Sequence, residues 1–166
     1  HFAKADDSLS RQAASGALRR NFQGYTSDGA TALIGLGSSS ISRLPQGYAQ
    51  NAATVPDYRA ALSRGELATV RGVALTPEDR LRGGIIERLM CDFSVDLAEL
   101  CHEHGLDMSA LDEDLARLVP LLGDGLATRD GAVVSIAPQA RNLARVVSAA
   151  FDARSTAQAR RHSLAV

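Results

Sequence analysis

Thr76-Pro77-Glu78-Asp79 marks a helix start in four consecutive residues. Thr is a good cap, Pro suits the first helical position, and the two acids face the positive end of the helix dipole. Leu81, Ile85, Ile86, Leu89, Met90 and Phe93 then recur at helical spacing and give one apolar face. Gly83-Gly84 interrupts the pattern, and each glycine costs about 1 kcal/mol relative to alanine. Close packing on another backbone, or a local bend, is the expected compensation.

The chain beyond this helix reads as more packing apparatus. A second helix is expected over Asp96 to His104, with Leu97, Leu100 and Cys101 inward and Gly105 as its stop. Ser109 is the expected cap of a third, with Leu111, Leu115, Leu118, Val119 and Leu122 inward and a bend or restart at Pro120. Asp130-Gly131 predicts a hairpin joining Leu126–Thr128 to Ala132–Ile136. Pro138 opens a last helix, with Leu143, Val146, Val147, Ala150 and Phe151 buried, and the polar tail from Ser155 is expected to fray. Three helices, a hairpin and a helix resemble a winged-helix arrangement. Such modules often bind DNA, but the candidate recognition helix sets Asp112, Glu113 and Asp114 against Arg117, where a phosphate-facing helix should be basic. A packing cap or cover is the better reading, and no nucleic-acid partner is expected.

The front of the chain is built differently. Residues 5–18 predict a short helix capped by Asp6 or Asp7. Asn21 to Tyr25 could be extended with Phe22 as anchor, and Ser27-Asp28-Gly29 is a turn. Thr31 to Leu36 (TALIGL) is a short apolar run between turn signals, the pattern of a strand buried on both faces. Gly35 and Gly37 allow a backbone or a ligand to approach closely, and Ser38 to Ser42 read as a loop around Ile41. Pro45 and Gly47 make a turn, Tyr48 to Gln50 is extended, Val55 to Arg64 is a helix, and Leu67 to Ala74 holds a strand. Residues 1–75 carry eight basic and five acidic side chains, while residues 76–166 carry ten and fourteen. The front is therefore the better home for an anionic ligand. The net charge of −1 again argues against a dedicated nucleic-acid binder.

Few constellations carry chemistry. Cys101, His102 and His104 share no single helical face and have no second ligand cluster, so no metal is expected. Cys91 and Cys101 read as reduced core thiols of a cytoplasmic protein. No G-x-S-x-G elbow supplies a nucleophile, and no catalytic residue is assigned. No run approaches 18 apolar residues, so no membrane association is expected. There is no signal-peptide or lipidation pattern, and His1 in place of Met suggests a fragment. A monomer is the expected state.

RNFQGYT (Arg20 to Thr26), LIGLGSSSIS (Leu33 to Ser42), YAQN (Tyr48 to Asn51) and RGVALTPEDRLR (Arg71 to Arg82) resemble the C-terminal part of the oxygen-independent coproporphyrinogen III oxidases. HFAK and IIERLMCDF (Ile85 to Phe93) carry the same resemblance. It implies a radical S-adenosylmethionine enzyme of haem biosynthesis with a [4Fe–4S] cluster on a C-x-x-x-C-x-x-C loop. There the adenosyl radical takes hydrogen from a propionate of coproporphyrinogen III. Two rounds of carbon dioxide loss leave two vinyl groups and give protoporphyrinogen IX. The fold implied is mixed α/β to mainly α. Residues 1–70 would end an incomplete (β/α) barrel, and residues 71–166 would form a helical C-terminal domain with a small hairpin. The cluster motif is absent here, so the chain is expected to be inactive alone. Of the family's S-adenosylmethionine contacts, an isoleucine maps onto Ile41, with Gly35, Gly37 and Ser40 shaping that wall. Arg20 is the preferred partner for a substrate carboxylate, with Gln23 and Tyr25 either as further substrate contacts or as residues that hold the loop. Gly83 departs from the family, which usually has Arg there. Other readings are a haem-carrier relative of the same superfamily and a winged-helix interaction module.

Overall fold

The structure is a computed structural model and describes residues 3–21 and 24–154. Its chain is mixed α/β and divides into two compact units. The first joins residues 1–28 to residues 77–166, and the second is the excursion Gly29–Thr76 between them.

In the first unit, α1 (Ser8–Ala14) starts at Asp7, whose carboxylate accepts from the Leu9 N–H at 2.8 Å. Strands β1 (Arg19–Asn21) and β2 (Gly24–Thr26) form an antiparallel hairpin that sets Arg20 opposite Tyr25. Phe22 and Gln23 lie outside the described residues.

The excursion begins with a coil and then forms β3 (Ile41–Leu44), β4 (Gly47–Asn51), α2 (Val55–Ser63) and β5 (Thr69–Ala74). Its sheet is antiparallel in the order β3-β4-β5. Thr54 caps α2 by accepting from the Asp57 N–H, and Pro56 sits in the first turn. The expected strand Thr31–Leu36 does not form. One antiparallel bridge, Leu33 to Arg43, is all that pairs it, and Leu36 is 84% exposed. An apolar run becomes a buried strand only where other backbone lies on both sides, and here it has one neighbour. Ile41 and Ser42, read as loop, instead open β3 opposite Gln50 and Ala49.

The remainder of the first unit is organised by α3 (Pro77–Cys91), which begins directly after Thr76. Leu81, Ile85 and Leu89 are fully buried, as the spacing predicts. Neither expected compensation for Gly83-Gly84 is needed. The helix continues through both, an added Cβ at Gly83 would meet nothing within 4 Å, and one at Gly84 would sit 3.8 Å from Leu100.

Phe93 follows in the left-handed region at φ 61°, and β6 (Ser94–Asp96) then leads into α4 (Leu97–Glu103). Asp96 caps α4, accepting from the Ala98 and Glu99 N–H groups at 2.9 and 3.1 Å. Asp107, rather than Ser109, caps the next turn, a 3₁₀ segment Met108–Leu111 that runs into α5 (Asp112–Gly123). Pro120 lies inside α5 and the helix carries on to Gly123. The predicted hairpin is β7 (Ala127–Asp130) with β8 (Val133–Ile136), and β6 adds to it in the order β6-β8-β7. The last helix is broken into a 3₁₀ turn (Pro138–Leu143), α6 (Ala144–Ser148) and a second 3₁₀ turn (Ala149–Phe151). Val147, Ala150 and Phe151 are buried as expected, whereas Leu143 and Val146 are exposed.

One buried charge joins these helices. Asp114, fully buried on α5, accepts from Arg82 Nε at both carboxylate oxygens and from Arg82 Nη2 at Oδ2, at 2.9–3.2 Å, and Arg117 Nη2 also donates to Oδ1. Arg82 also donates to the Ala110 carbonyl, and Arg117 donates to that of Ala150. Asp114 in turn raises the Arg82 pKa, chiefly through this hydrogen bond. The acidic triplet at the start of α5 is therefore not a solvated face: its third member is a staple between α3 and α5.

Candidate functional site

Gly35, Gly37, Ser40 and Ile41 come together in one closed loop. The Gly35 N–H donates to Ser42 Oγ at 3.0 Å, and the Gly37 N–H donates to the Tyr58 hydroxyl at 3.2 Å. Asn51 Nδ2 donates to the carbonyls of both glycines, at 3.2 and 3.0 Å, and Ser40 Oγ donates to the Leu36 carbonyl at 2.6 Å. A Cβ on Gly35 would stand 2.9 Å from the Ile41 backbone, so glycine is required there by the loop's own chain. These polar groups are spent on holding the loop. The half-buried Ile41 side chain and the exposed Leu36 are the groups of the loop that offer an apolar surface.

Arg20 and Tyr25 sit in the other unit, on facing strands of the β1–β2 hairpin. The Arg20 N–H donates to Glu87 Oε1 at 3.1 Å, and the Tyr25 hydroxyl donates to the Met90 carbonyl at 3.0 Å. Arg88 adds two hydrogen bonds to the carbonyls of Gly16 and Leu18. The hairpin and its approach are thereby fixed on α3. Gln23, the third substrate candidate, lies outside the described residues.

Two clefts are lined by described residues of this unit. One, of about 510 Å³, is walled by α1, β2 and the end of α3, and Arg141 stands at its edge. The guanidinium carbon of Arg141 lies 4.8 Å from the centroid of the Phe93 ring, a cation–π contact. The other, of about 570 Å³, mixes Arg19 and His104 with Glu87, Asp96 and Glu103. Among the described residues no group of three His, Cys, Asp or Glu is placed to hold a metal ion. Sequence reading missed the Arg141–Phe93 pair. The left-handed residue after α3 is the feature that brings it about, and a phenylalanine gives no local signal for that conformation.

The cysteines bear on the cofactor that the resemblance implies. Cys91 and Cys101 are buried free thiols. Burial pushes Cys91 up to about 11 and also raises Cys101, so both stay protonated at neutral pH. A cluster ligand must be a thiolate. Two buried thiols ten residues apart in sequence cannot supply the three closely spaced thiolates of such a cluster, so these residues do not fit it.

Comparison with known proteins agrees with the motifs. Residues 75–143 match the HemN C-terminal domain. The chain is 45% identical over all 166 residues to the oxygen-independent coproporphyrinogen III oxidase of Bradyrhizobium diazoefficiens, covering 37% of that protein. It is 39% identical over 155 residues to the enzyme of the same name from Escherichia coli, covering 92% of this chain and 34% of the other. The solved structure of coproporphyrinogen III oxidase (HemN) from Escherichia coli, described as a radical SAM enzyme, superposes with a TM-score of 0.86 at 37% identity. That match covers 92% of this chain and 35% of the other. The chain thus spans about a third of the length of the curated relatives it matches. By sequence and by fold, the chain is similar to the C-terminal portion of the oxygen-independent coproporphyrinogen III oxidases, and its residues 75–143 match the HemN C-terminal domain.

Proposed function

We propose that this chain forms part of an enzyme that converts two propionates of coproporphyrinogen III to vinyl groups, giving protoporphyrinogen IX. It supplies a wall and a cover to a site completed by residues outside it. The observation that carries the reading is 45% identity, over every residue of the chain, to a protein of that name. The bound cluster and S-adenosylmethionine supply the radical chemistry in such an enzyme. Ile41 gives the adenosyl portion an apolar contact, with Gly35, Gly37 and Ser40 holding its backbone in place. Arg20, Gln23 and Tyr25 are the candidate substrate contacts.

In this reading residues 1–70 end a partial (β/α) barrel. The bare apolar run Leu33, Ile34 and Leu36 suits that role, because a strand at such a point needs neighbours from elsewhere. Residues 71–166 act as a winged-helix-like cover. The β6-β8-β7 sheet among α3, α4 and α5 supports that description.

The test is enzymatic. The gene containing this chain should encode a C-x-x-x-C-x-x-C motif ahead of His1. The complete polypeptide, loaded anaerobically with its cluster and given S-adenosylmethionine and an electron donor, should turn coproporphyrinogen III into protoporphyrinogen IX, and this chain alone should not. Absence of the motif, or a loaded polypeptide that yields no product, would sink the reading. Ile41→Ala should raise the KM for S-adenosylmethionine more than it lowers kcat.

A further inference from the structure

The 510 Å³ cleft of the first unit has the chemistry of a site for a ring that bears a carboxylate. Its walls are Leu9, Leu18, Met90 and the rings of Tyr25 and Phe93, and Arg141 stands at the edge. That volume lies within the usual range of small-molecule pockets. Arg141 is exposed, and its guanidinium makes no hydrogen bond or ion pair to any described residue. It is nonetheless not a loose surface arginine, because it lies over the Phe93 ring. Phe93 occupies the left-handed region, where glycine would sit without strain. A bulky side chain kept in that conformation puts an aromatic face beside the cleft and the cation upon it. Stacking leaves the edge N–H groups of the guanidinium free to meet a carboxylate.

We infer that this cleft takes one pyrrole ring of coproporphyrinogen III, with Arg141 pairing its propionate carboxylate and the apolar walls enclosing the ring. The substrate identity rests on the function proposed above, while the preference for an apolar ring with a carboxylate rests on the cleft itself. Tyr25 links the two. Its hydroxyl is held by the Met90 carbonyl, so the ring forms a fixed wall of the cleft. Arg141 is thus a binding residue contributed from the 3₁₀ turn Pro138–Leu143, far in sequence from the Arg20–Thr26 motif.

The experiment titrates this chain with coproporphyrin III, the stable oxidised tetracarboxylate, and in parallel with its tetramethyl ester, following porphyrin fluorescence. The acid should bind saturably and more tightly than the ester. Arg141→Gln should weaken the acid about ten-fold or more and leave the ester unchanged, with Arg141→Lys recovering part of the loss. Ala13→Trp, an exposed residue of α1 that would fill the cleft, should weaken both ligands. An unchanged melting temperature in Arg141→Gln assigns its loss to binding. The inference is overturned if the acid does not saturate, if acid and ester bind alike, or if Arg141→Gln binds the acid as the original chain does. A loaded complete polypeptide that makes product while Arg141→Gln leaves its KM for coproporphyrinogen III unchanged would also overturn it, with the oxidase reading intact. Carboxylate-selective binding without any turnover by that polypeptide would instead sink the oxidase reading.

Discussion

The two units stabilise themselves by different means. In the first, Leu81, Ile85, Leu89, Leu97, Leu111, Leu118, Val147 and Phe151 are packed out of water in one cluster. In the second, the buried apolar residues are Ala52, Ala61 and Ala68, while Ile34, Leu36, Leu67 and Val70 lie exposed. Burying a large aliphatic or aromatic side chain is worth about 1.5–3 kcal/mol, and an alanine much less. The second unit therefore depends on strand pairing and on side chains that hydrogen-bond the backbone, such as Asn51 and Tyr58. A region so built has one well-defined loop and little reserve. The first unit has reserve, and can hold a buried ion pair and a left-handed phenylalanine within it.

Four changes would break or sharpen this contrast. Asp114→Ala leaves Arg82 and Arg117 without their shared anion and should cost about 3–5 kcal/mol, seen as a fall in the urea midpoint of the first unit. Gly35→Ala drives a methyl into the Ile41 backbone and should cost about 1–3 kcal/mol. Its effect should appear as faster hydrogen exchange in β3 and β4, with amides of α3 unchanged. Exchange that rises equally in α3 would deny the two units separate stabilities.

The third concerns alkaline pH. Cys91 is held neutral in the folded chain up to about 11, against an ordinary value of 9.0. The unfolded chain therefore loses this proton first as pH rises, and stability should fall through the window from about 9 to 11. The slope is roughly 1.4 kcal/mol per pH unit at most. Comparing unfolding of the original chain with Cys91→Ala across that window isolates it, and equal slopes would refute the assignment. The smallest change is a gain. Gly83→Ala adds a methyl that meets nothing within 4 Å and should stabilise α3 by about 1 kcal/mol, raising the melting temperature.

Local chemistry made much of this fold legible. The start of α3, Pro56 in α2 and the Asp130-Gly131 turn each declare themselves within a few residues. The features that escaped reading depend on partners distant in sequence. The apolar run Thr31 to Leu36 has strand composition, but its pairing depends on backbone the run does not contain. Asp114 looks like one of three surface acids until Arg82 arrives from another helix. A signal was present, since Leu111, Asp114 and Leu118 follow the three- and four-residue spacing of a core-facing stripe. Of the candidate site, the closed loop ending at Ile41 was readable as a place where glycines permit close approach, and the approaching group is the chain itself. Arg141 could not be found from its neighbours, because its partner Phe93 lies on the far side of two helices and a hairpin in sequence.

The discontinuity of the first unit also sets an order of events in the cell. Residues 8–26 leave the ribosome well before α3, to which Arg88 and Glu87 fasten them, has been made. They cannot dock until the whole of the second unit has passed. Because the closure penalty grows slowly with the length of the intervening chain, replacing residues 29–76 by a short flexible tether should bring this docking forward. Such a miniaturised protein, if it retains the α3 core and its hairpin, would be a tractable host for the Arg141 cleft alone.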